Sequence, residues 1–237
     1  MKTLIFDCDG VLVDTEKDGH RAAFNEAFKL KGLGIKWGVG LYGELLKIAG
    51  GKERMRCFFS EMGWPVKEDA REDFISELHK VKTECFMKII KEGRLPLRSG
   101  VARLVDEAID AGISLAVCST SNGKAVNMVI DILLGRQRKK HFKGIYAGDI
   151  VSKKKPDPEI YLLARDRLGI DPKECVVIED SRNGLLAAKG AGMNCIITKS
   201  EYTGDEDFTE ADLVFPELGD LPGPVVDLDT LSRVCES

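Results

Sequence analysis

No apolar run in the 237 residues is long enough to cross a bilayer, so no membrane partner is expected. Charge of neither sign dominates. The 35 Lys and Arg against 39 Asp and Glu give a formal net charge of −4, and a nucleic-acid groove is not expected. None of the seven cysteines (Cys8, Cys57, Cys85, Cys118, Cys175, Cys195, Cys235) stands in a C-x-x-C pair, and their number is odd. Several lie inside apolar runs, so the expectation is buried thiols in a reducing compartment. Met1-Lys2-Thr3 leads directly into an apolar stretch, and no signal or transit peptide is expected at this end. Repeats and low-complexity segments are absent, and residues 15 to about 95 contain no convincing strand.

The first fourteen residues carry the strongest signal. Leu4-Ile5-Phe6 reads as a short buried strand, and it runs straight into Asp7-Cys8-Asp9-Gly10, with Asp14-Thr15 beyond. Two carboxylates at contact distance repel by about 4 kcal/mol at a protein-surface dielectric. A fold keeps such a pair where a cation or a proton resolves the repulsion. Cys8, between the two, should point away from both, because side chains alternate along a strand.

From about residue 97 onward helices and strands alternate, the pattern of an α/β domain with a parallel sheet. Apolar spacing predicts helices over 101–111, 124–134, 158–168 and 183–191. Strands are expected at 113–118, 145–147, 175–178, 194–197 and 212–215. The first strand needs partners for its backbone groups and belongs with these. The expected architecture is therefore an α/β core of residues 1–14 and 96–237, interrupted by a helical insertion over 15–95. The Gly- and Pro-rich tail from Pro216 is expected to be a surface segment.

In a doubly wound sheet, ligands bind beyond the carboxyl ends of the strands. Asp7 and Asp9 follow the first strand, Ser119-Thr120-Ser121-Asn122 the second, and Glu179-Asp180 a later one. Lys153-Lys154-Lys155-Pro156 precedes a helix. Each piece has a plainer reading: a turn for Asp9-Gly10, a helix cap for Ser119–Asn122 or for Glu179-Asp180, a solvated charge run for the lysines. Together they offer carboxylates for a hard divalent cation, hydroxyls and amides for phosphate oxygens, and a fixed positive charge. That set suits metal-assisted phosphoryl transfer.

These four motifs, in this order, resemble those of the haloacid dehalogenase-like hydrolase superfamily: Asp7-x-Asp9-Gly10 with Asp14-Thr15, then Ser119, then Lys155 before Pro156, then Glu179-Asp180 with Gly184. The resemblance implies a Rossmann-like parallel-sheet core with an inserted α-helical cap domain. It implies Asp7 as nucleophile through an aspartyl-phosphate, Asp9 as acid and base, and Ser119 and Lys155 as phosphoryl donors. Mg²⁺ would be held by Asp7, the Asp9 carbonyl and Asp180, with Glu179 nearby.

The insertion carries its own cations. Gly50 and Gly51 precede a helix start at Lys52-Glu53-Arg54, a ready anion site, and His79 and Lys82 are spaced to share a helix face. A second anion site implies a second phosphate, or another anionic end, on the substrate; the plainer reading is the exposed ends of amphipathic helices. Residues 41–55, 78–83 and 117–122 are similar to the CbbY family, within the β-phosphoglucomutase-like subgroup. CbbY proteins accompany Rubisco and the Calvin cycle and dephosphorylate xylulose 1,5-bisphosphate to xylulose 5-phosphate. The resemblance implies substrate contacts from Glu16, Gly50, Gly51, Lys52, Glu53, Arg54, His79, Lys82, Ser119, Thr120, Ser121 and Asn122. The substrate it implies is a small phosphosugar; nothing in the sequence demands more than a monomer, and the expected location is plastid stroma or cytoplasm. The spacing from Asp14 to His20 is one residue longer than in relatives that use that histidine, and His20 is given no catalytic role. The alternatives are a phosphosugar mutase of the β-phosphoglucomutase kind, a phosphatase for another small phosphosugar, and a non-catalytic phosphate-binding protein.

Overall fold

The computed structural model describes residues 1–48, 51–148 and 150–236. The chain divides into two compact units, Met1–Asp14 with Leu95–Ser237, and Thr15–Arg94.

The first unit is built on one parallel sheet of six strands. They are β1 (Thr3–Phe6), β2 (Ser114–Ser119), β3 (Phe142–Ala147), β4 (Cys175–Glu179), β5 (Asn194–Thr198) and β6 (Leu213–Phe215), in the spatial order β3-β2-β1-β4-β5-β6. β1 lies at the centre, with Ile5 opposite Ala116 on one side and Val177 on the other. Successive strand residues point to opposite faces, yet Leu4, Ile5 and Phe6 are all buried, as are Val176, Val177 and Ile178. Both faces of the sheet are therefore covered, which explains why these strands read as unbroken apolar runs. One face packs Ile5, Ala116, Val177 and Ile197 against Ile160, Tyr161 and Leu185. These last come from α8 (Glu159–Leu168) and α9 (Arg182–Gly190). The chain leaves β1 towards β2 on one side and later returns to β4 on the other. The crevice at this reversal, outside the carboxyl ends of β1 and β4, is where such sheets take ligands.

The helices follow their apolar spacing. α5 (Val101–Asp110) buries Val101, Leu104, Val105 and Ala108, a single stripe. α6 is shorter than the spacing predicts, Gly123–Val129, and passes into a π-helical turn at Ile130–Leu134 before α7 (Gly135–Lys139). The tail is not a surface segment. Leu218, Val226 and Leu231 are buried there, and Leu228–Val234 forms α10. Asp227 starts that helix by accepting a hydrogen bond from the Thr230 amide at 2.8 Å.

The second unit is helical. A π-helical turn (Thr15–His20) runs into α1 (Arg21–Leu30), followed by α2 (Val39–Leu46), α3 (Gly51–Met62) and α4 (Arg71–Lys91). Its core is aromatic. Trp37 is fully buried, with ring centroids 4.6 Å from Phe24 and 4.9 Å from Phe28. Burying each such ring contributes roughly 1.5–3 kcal/mol. Asn25 fixes the loop before α2 by accepting from the Trp37 amide at 2.7 Å and donating to its carbonyl at 3.0 Å. Among the described residues, no helix is long and apolar enough to cross a membrane.

Candidate active site

The β1 ladder carries Asp7 into place: its amide donates to the Ile178 carbonyl at 3.0 Å, so the residue after β1 is still tied to β4. The chain then turns sharply, with the Leu12 and Gly10 amides bonded back to Cys8 and Val13. Gly10 has a φ of +81°. A Cβ there would also strike the Asp180 carboxylate, so this turn requires glycine. Gly184 has the same relationship to Glu179, whose carboxylate occupies the space a side chain would need. Cys8 is buried, and all seven cysteines are free thiols.

The result is a cavity of about 250 Å³ walled by Asp7, Asp9, Ser119, Thr120, Lys155 and Asp180. Two larger depressions lie elsewhere, of about 490 and 520 Å³. One is at the amino ends of the strands, around Thr3 and Ser114; the other lies beside Phe215 and Arg233. Neither gathers buried ionisable groups, so the smaller cavity is the chemically competent one.

Lys155 organises this cavity. Its Nζ donates to Asp7 Oδ1 at 2.7 Å, to Glu179 Oε1 at 2.5 Å and to the Cys118 carbonyl at 3.0 Å. Of its neighbours, Lys153 pairs with Asp157 and Lys154 donates to the Gly148 carbonyl. Tyr161, from α8, donates its phenol to Glu179. Burial pushes the Asp7 carboxyl well above its ordinary range, with Lys155 pulling the other way. Burial, reinforced by Glu179, raises Asp180 to about 7 against the opposing Ser200 hydroxyl and Arg98. Burial also works to discharge Lys155, but Asp7 and Glu179 together outweigh it and hold the ammonium above its usual value.

Asp7, Glu179 and Asp180 each offer an oxygen within 4.8 Å of the others. Against these three carboxylates stand Lys155 and, beside Asp180, Arg98, so acids outnumber bases here. That excess, the all-oxygen donor set and the upward shift of Asp180 fit a hard divalent cation. Thr203 adds a hydroxyl 3.4 Å from Asp180 Oδ2. The Asp9 carboxylate lies outside the trio and turns towards β2, accepting from the Ser121 hydroxyl and, at 3.5 Å, from that of Ser119. Asp7 and Asp9 are thus in different surroundings, Asp7 on Lys155 and Asp9 on the two serine hydroxyls. Asn122 serves as a cap, its oxygen accepting from the Lys124 and Ala125 amides at the start of α6.

The helical unit holds a second polar cluster. Tyr42 donates to Glu16 Oε2 at 2.6 Å and accepts from Arg54 Nη1 at 3.2 Å. Arg54 Nε also donates to the Ile48 carbonyl. Lys82 is buried, its Nζ 2.9 Å from His20 Nδ1, which places an imidazole where apolar spacing alone shows only a helix face. Burial lowers Lys82 to about 8 and His20 well below its ordinary value. Gly51 opens α3 against His79, whose ring a Cβ there would press at 3.1 Å. Lys52 approaches Ser76, and Glu53 is drawn outwards to Arg56. Gly50 lies outside the described residues. Tyr42, Tyr161, His20 and Thr203 are not legible as site residues in the sequence, since each acts through a partner distant in the chain.

A family model described as haloacid dehalogenase-like hydrolase matches residues 1–192. A CBBY-like protein of Arabidopsis thaliana is 59% identical over 229 residues, covering 95% of this chain and 72% of the relative. Protein CbbY of Rhodobacter capsulatus is 42% identical over 218 residues, covering 92% of this chain and 94% of the relative. A crystal structure of a CbbY mutant from Rhodobacter sphaeroides, in complex with xylulose-(1,5)bisphosphate, superposes with a TM-score of 0.73. It is 39% identical, covering 95% of this chain and 100% of that one. The chain belongs to the haloacid dehalogenase-like hydrolase family, as a phosphatase of its CbbY branch.

Proposed function

We propose that the protein is a Mg²⁺-dependent sugar-bisphosphate phosphatase working through an aspartyl-phosphate, and that it converts xylulose 1,5-bisphosphate to xylulose 5-phosphate and phosphate. The observation that carries this reading is the buried Asp7, held by Lys155 at the crevice between β1 and β4, with Asp9 kept apart on Ser119 at the end of β2 and Ser121 just beyond it.

Lys155 occupies one oxygen of Asp7 and leaves the other to attack phosphorus. As the phosphorus–oxygen bond to the sugar breaks, Asp9 gives its proton to the departing alkoxide. Asp9 then takes a proton from the water that attacks the aspartyl-phosphate, releasing phosphate and restoring Asp7. Ser119 and Lys155 hold the phosphoryl oxygens, and losing one such donor costs about 3 kcal/mol of transition-state stabilisation. Mg²⁺, held by Asp7, Asp180 and the Asp9 carbonyl with Glu179 beside them, would supply positive charge against the phosphoryl oxygens.

The helical unit, residues 15–95, is proposed as the cap that recognises the remainder of the substrate. Glu16, Gly50, Gly51, Lys52, Glu53, Arg54, His79 and Lys82 are its proposed contacts, with Ser119, Thr120, Ser121 and Asn122 on the core. The buried ammonium of Lys82 beside the Glu16–Tyr42–Arg54 cluster supports an anionic second end. Seven free thiols, five of them buried, suit the reducing stroma or cytoplasm.

Phosphate release from a panel tests the reading: xylulose 1,5-bisphosphate, ribulose 1,5-bisphosphate and sugar monophosphates, each with and without Mg²⁺. Xylulose 1,5-bisphosphate should be turned over far faster than the rest, and only with Mg²⁺. Equal rates across the panel would defeat the narrow assignment, and isomerisation of glucose 1-phosphate without phosphate release would mark a mutase.

A further inference from the structure

Among the described residues, Tyr42 is the one fully buried phenol that touches both an acid and a base of the helical unit. It lies on α2, while its partners come from the π-helical turn (Glu16) and from α3 (Arg54). Its ring is clamped, with centroids 5.9 Å from Trp37 and 6.1 Å from Phe24, so the hydroxyl has a fixed position. Arg54 Nη1 and Glu16 Oε2 are 3.8 Å apart, beyond a direct hydrogen bond. The hydroxyl bonds to both instead, accepting from the guanidinium and donating to the carboxylate.

Arg54 and Glu16 are an ion pair at this distance, but its chemistry differs from that of a two-pronged, directly hydrogen-bonded one. An arginine in a two-pronged pair with a carboxylate is neutralised and has spent its donors. With a phenol interposed, the two charges are kept apart, and each is oriented by a neutral group. Arg54 is further fixed by the Ile48 carbonyl at 2.9 Å, and Glu16 keeps 35% of its side chain exposed. Arg54, at 13% exposure, is the more enclosed of the two, and both are held at a set separation.

We propose that Tyr42 is a positioning residue: it holds Glu16 and Arg54 apart and aimed for the non-reacting end of the substrate, and so sets the preference for phosphosugars over simple phosphate esters. This rests on the reading that these two residues bind substrate. Tyr42 itself touches no reacting atom.

The test compares kcat/KM for the best phosphosugar of the panel with that for p-nitrophenyl phosphate, in wild-type protein and in Tyr42→Phe. The substitution keeps the ring and removes the hydroxyl. The ratio should fall by about tenfold, the effect of one lost oriented contact, and mainly through KM for the sugar. A general loss of packing would lower both substrates together and leave the ratio intact, and that result would overturn the proposal. Adding Glu16→Gln to Tyr42→Phe should cost little more than Glu16→Gln alone; fully additive losses would also overturn it. If the Phe variant does not fold, Arg54→Lys, which keeps charge but loses the planar fork, must show the same fall, and an unchanged ratio there counts against the proposal. A best substrate other than a bisphosphate would refute the substrate assignment while leaving this comparison decisive for Tyr42.

Discussion

Lys155 and Asp7 form a buried ion pair, Nζ to Oδ1 2.7 Å, with side chains 7% and 9% exposed. The same ammonium serves Glu179, so one positive charge satisfies two acids that lie far from it in the chain. Removing one partner of such a pair leaves the other charge uncompensated. Lys155→Met should therefore destabilise the fold by about 3–5 kcal/mol near pH 8. The loss should shrink at pH 5, where Asp7, its carboxyl raised by burial, can take up a proton. Urea unfolding at the two pH values checks this, and equal losses would mean that the carboxylate is not under strain.

Asp180, in the proposed Mg²⁺ site, should make metal affinity depend on pH. Burial raises its folded pKa to about 7 from the ordinary 3.8. A raised acid destabilises the folded state progressively as pH climbs from the lower value to the higher, because the unfolded chain releases its proton first. A bound dication must displace that proton below pH 7 and not above it. Apparent Mg²⁺ affinity, read from thermal shifts, should therefore rise with pH through about 7. The protection by saturating Mg²⁺ should be larger at pH 8 than at pH 6.

Gly10 joins the backbone turn and the acidic cluster. Its left-handed φ of +81° costs a non-glycine residue roughly 1–2 kcal/mol. Its missing Cβ also makes room for the Asp180 carboxylate. Gly10→Ala should lower stability by more than that strain alone, since the Asp180 carboxylate must also shift, and weaken Mg²⁺ binding, measured by calorimetric titration. Loss of stability with full metal affinity would show that Asp180 can move without consequence.

Lys82 is held in the helical unit against stability. Burial lowers it to about 8 from 10.5, with contacts over the Phe24 and Phe86 rings at 4.9 and 5.3 Å as partial compensation. Below pH 8 the charged, buried group penalises the fold; between pH 8 and 10.5 the folded chain sheds its proton first and stability rises. That slope corresponds to a penalty on the order of 3 kcal/mol. Lys82→Met should therefore stabilise the protein at pH 7, flatten the rise above pH 8, and raise KM for a phosphosugar. Unfolding midpoints across pH, set beside KM, check both halves.

What is legible in the chain is what is local. Leu4-Ile5-Phe6 announces a buried strand because both of its faces are covered, and the acids after it announce the site because the sheet delivers every strand end to one side. Lys155, by contrast, separates from Lys153 and Lys154 only through a matching motif, because which lysine turns inwards depends on the path of the whole loop. α10 is obscured by the glycines and prolines before it, although Asp227 ahead of Leu228 and the spacing of Leu231 and Val234 mark a capped helix. Tyr42 and Tyr161 leave no local trace: each matters for a hydroxyl whose acidic partner is 26 or 18 residues away.

The most direct measurement is intact-mass and peptide analysis after mixing protein, Mg²⁺ and the preferred phosphosugar and quenching rapidly in acid. One phosphoryl group should be found on the peptide carrying Asp7. It should be absent in Asp7→Asn, whose turnover should be at least about a thousandfold lower with the fold intact. Full turnover by Asp7→Asn, or multiple turnovers with no phosphoryl group ever reaching Asp7, would contradict a nucleophile at this position.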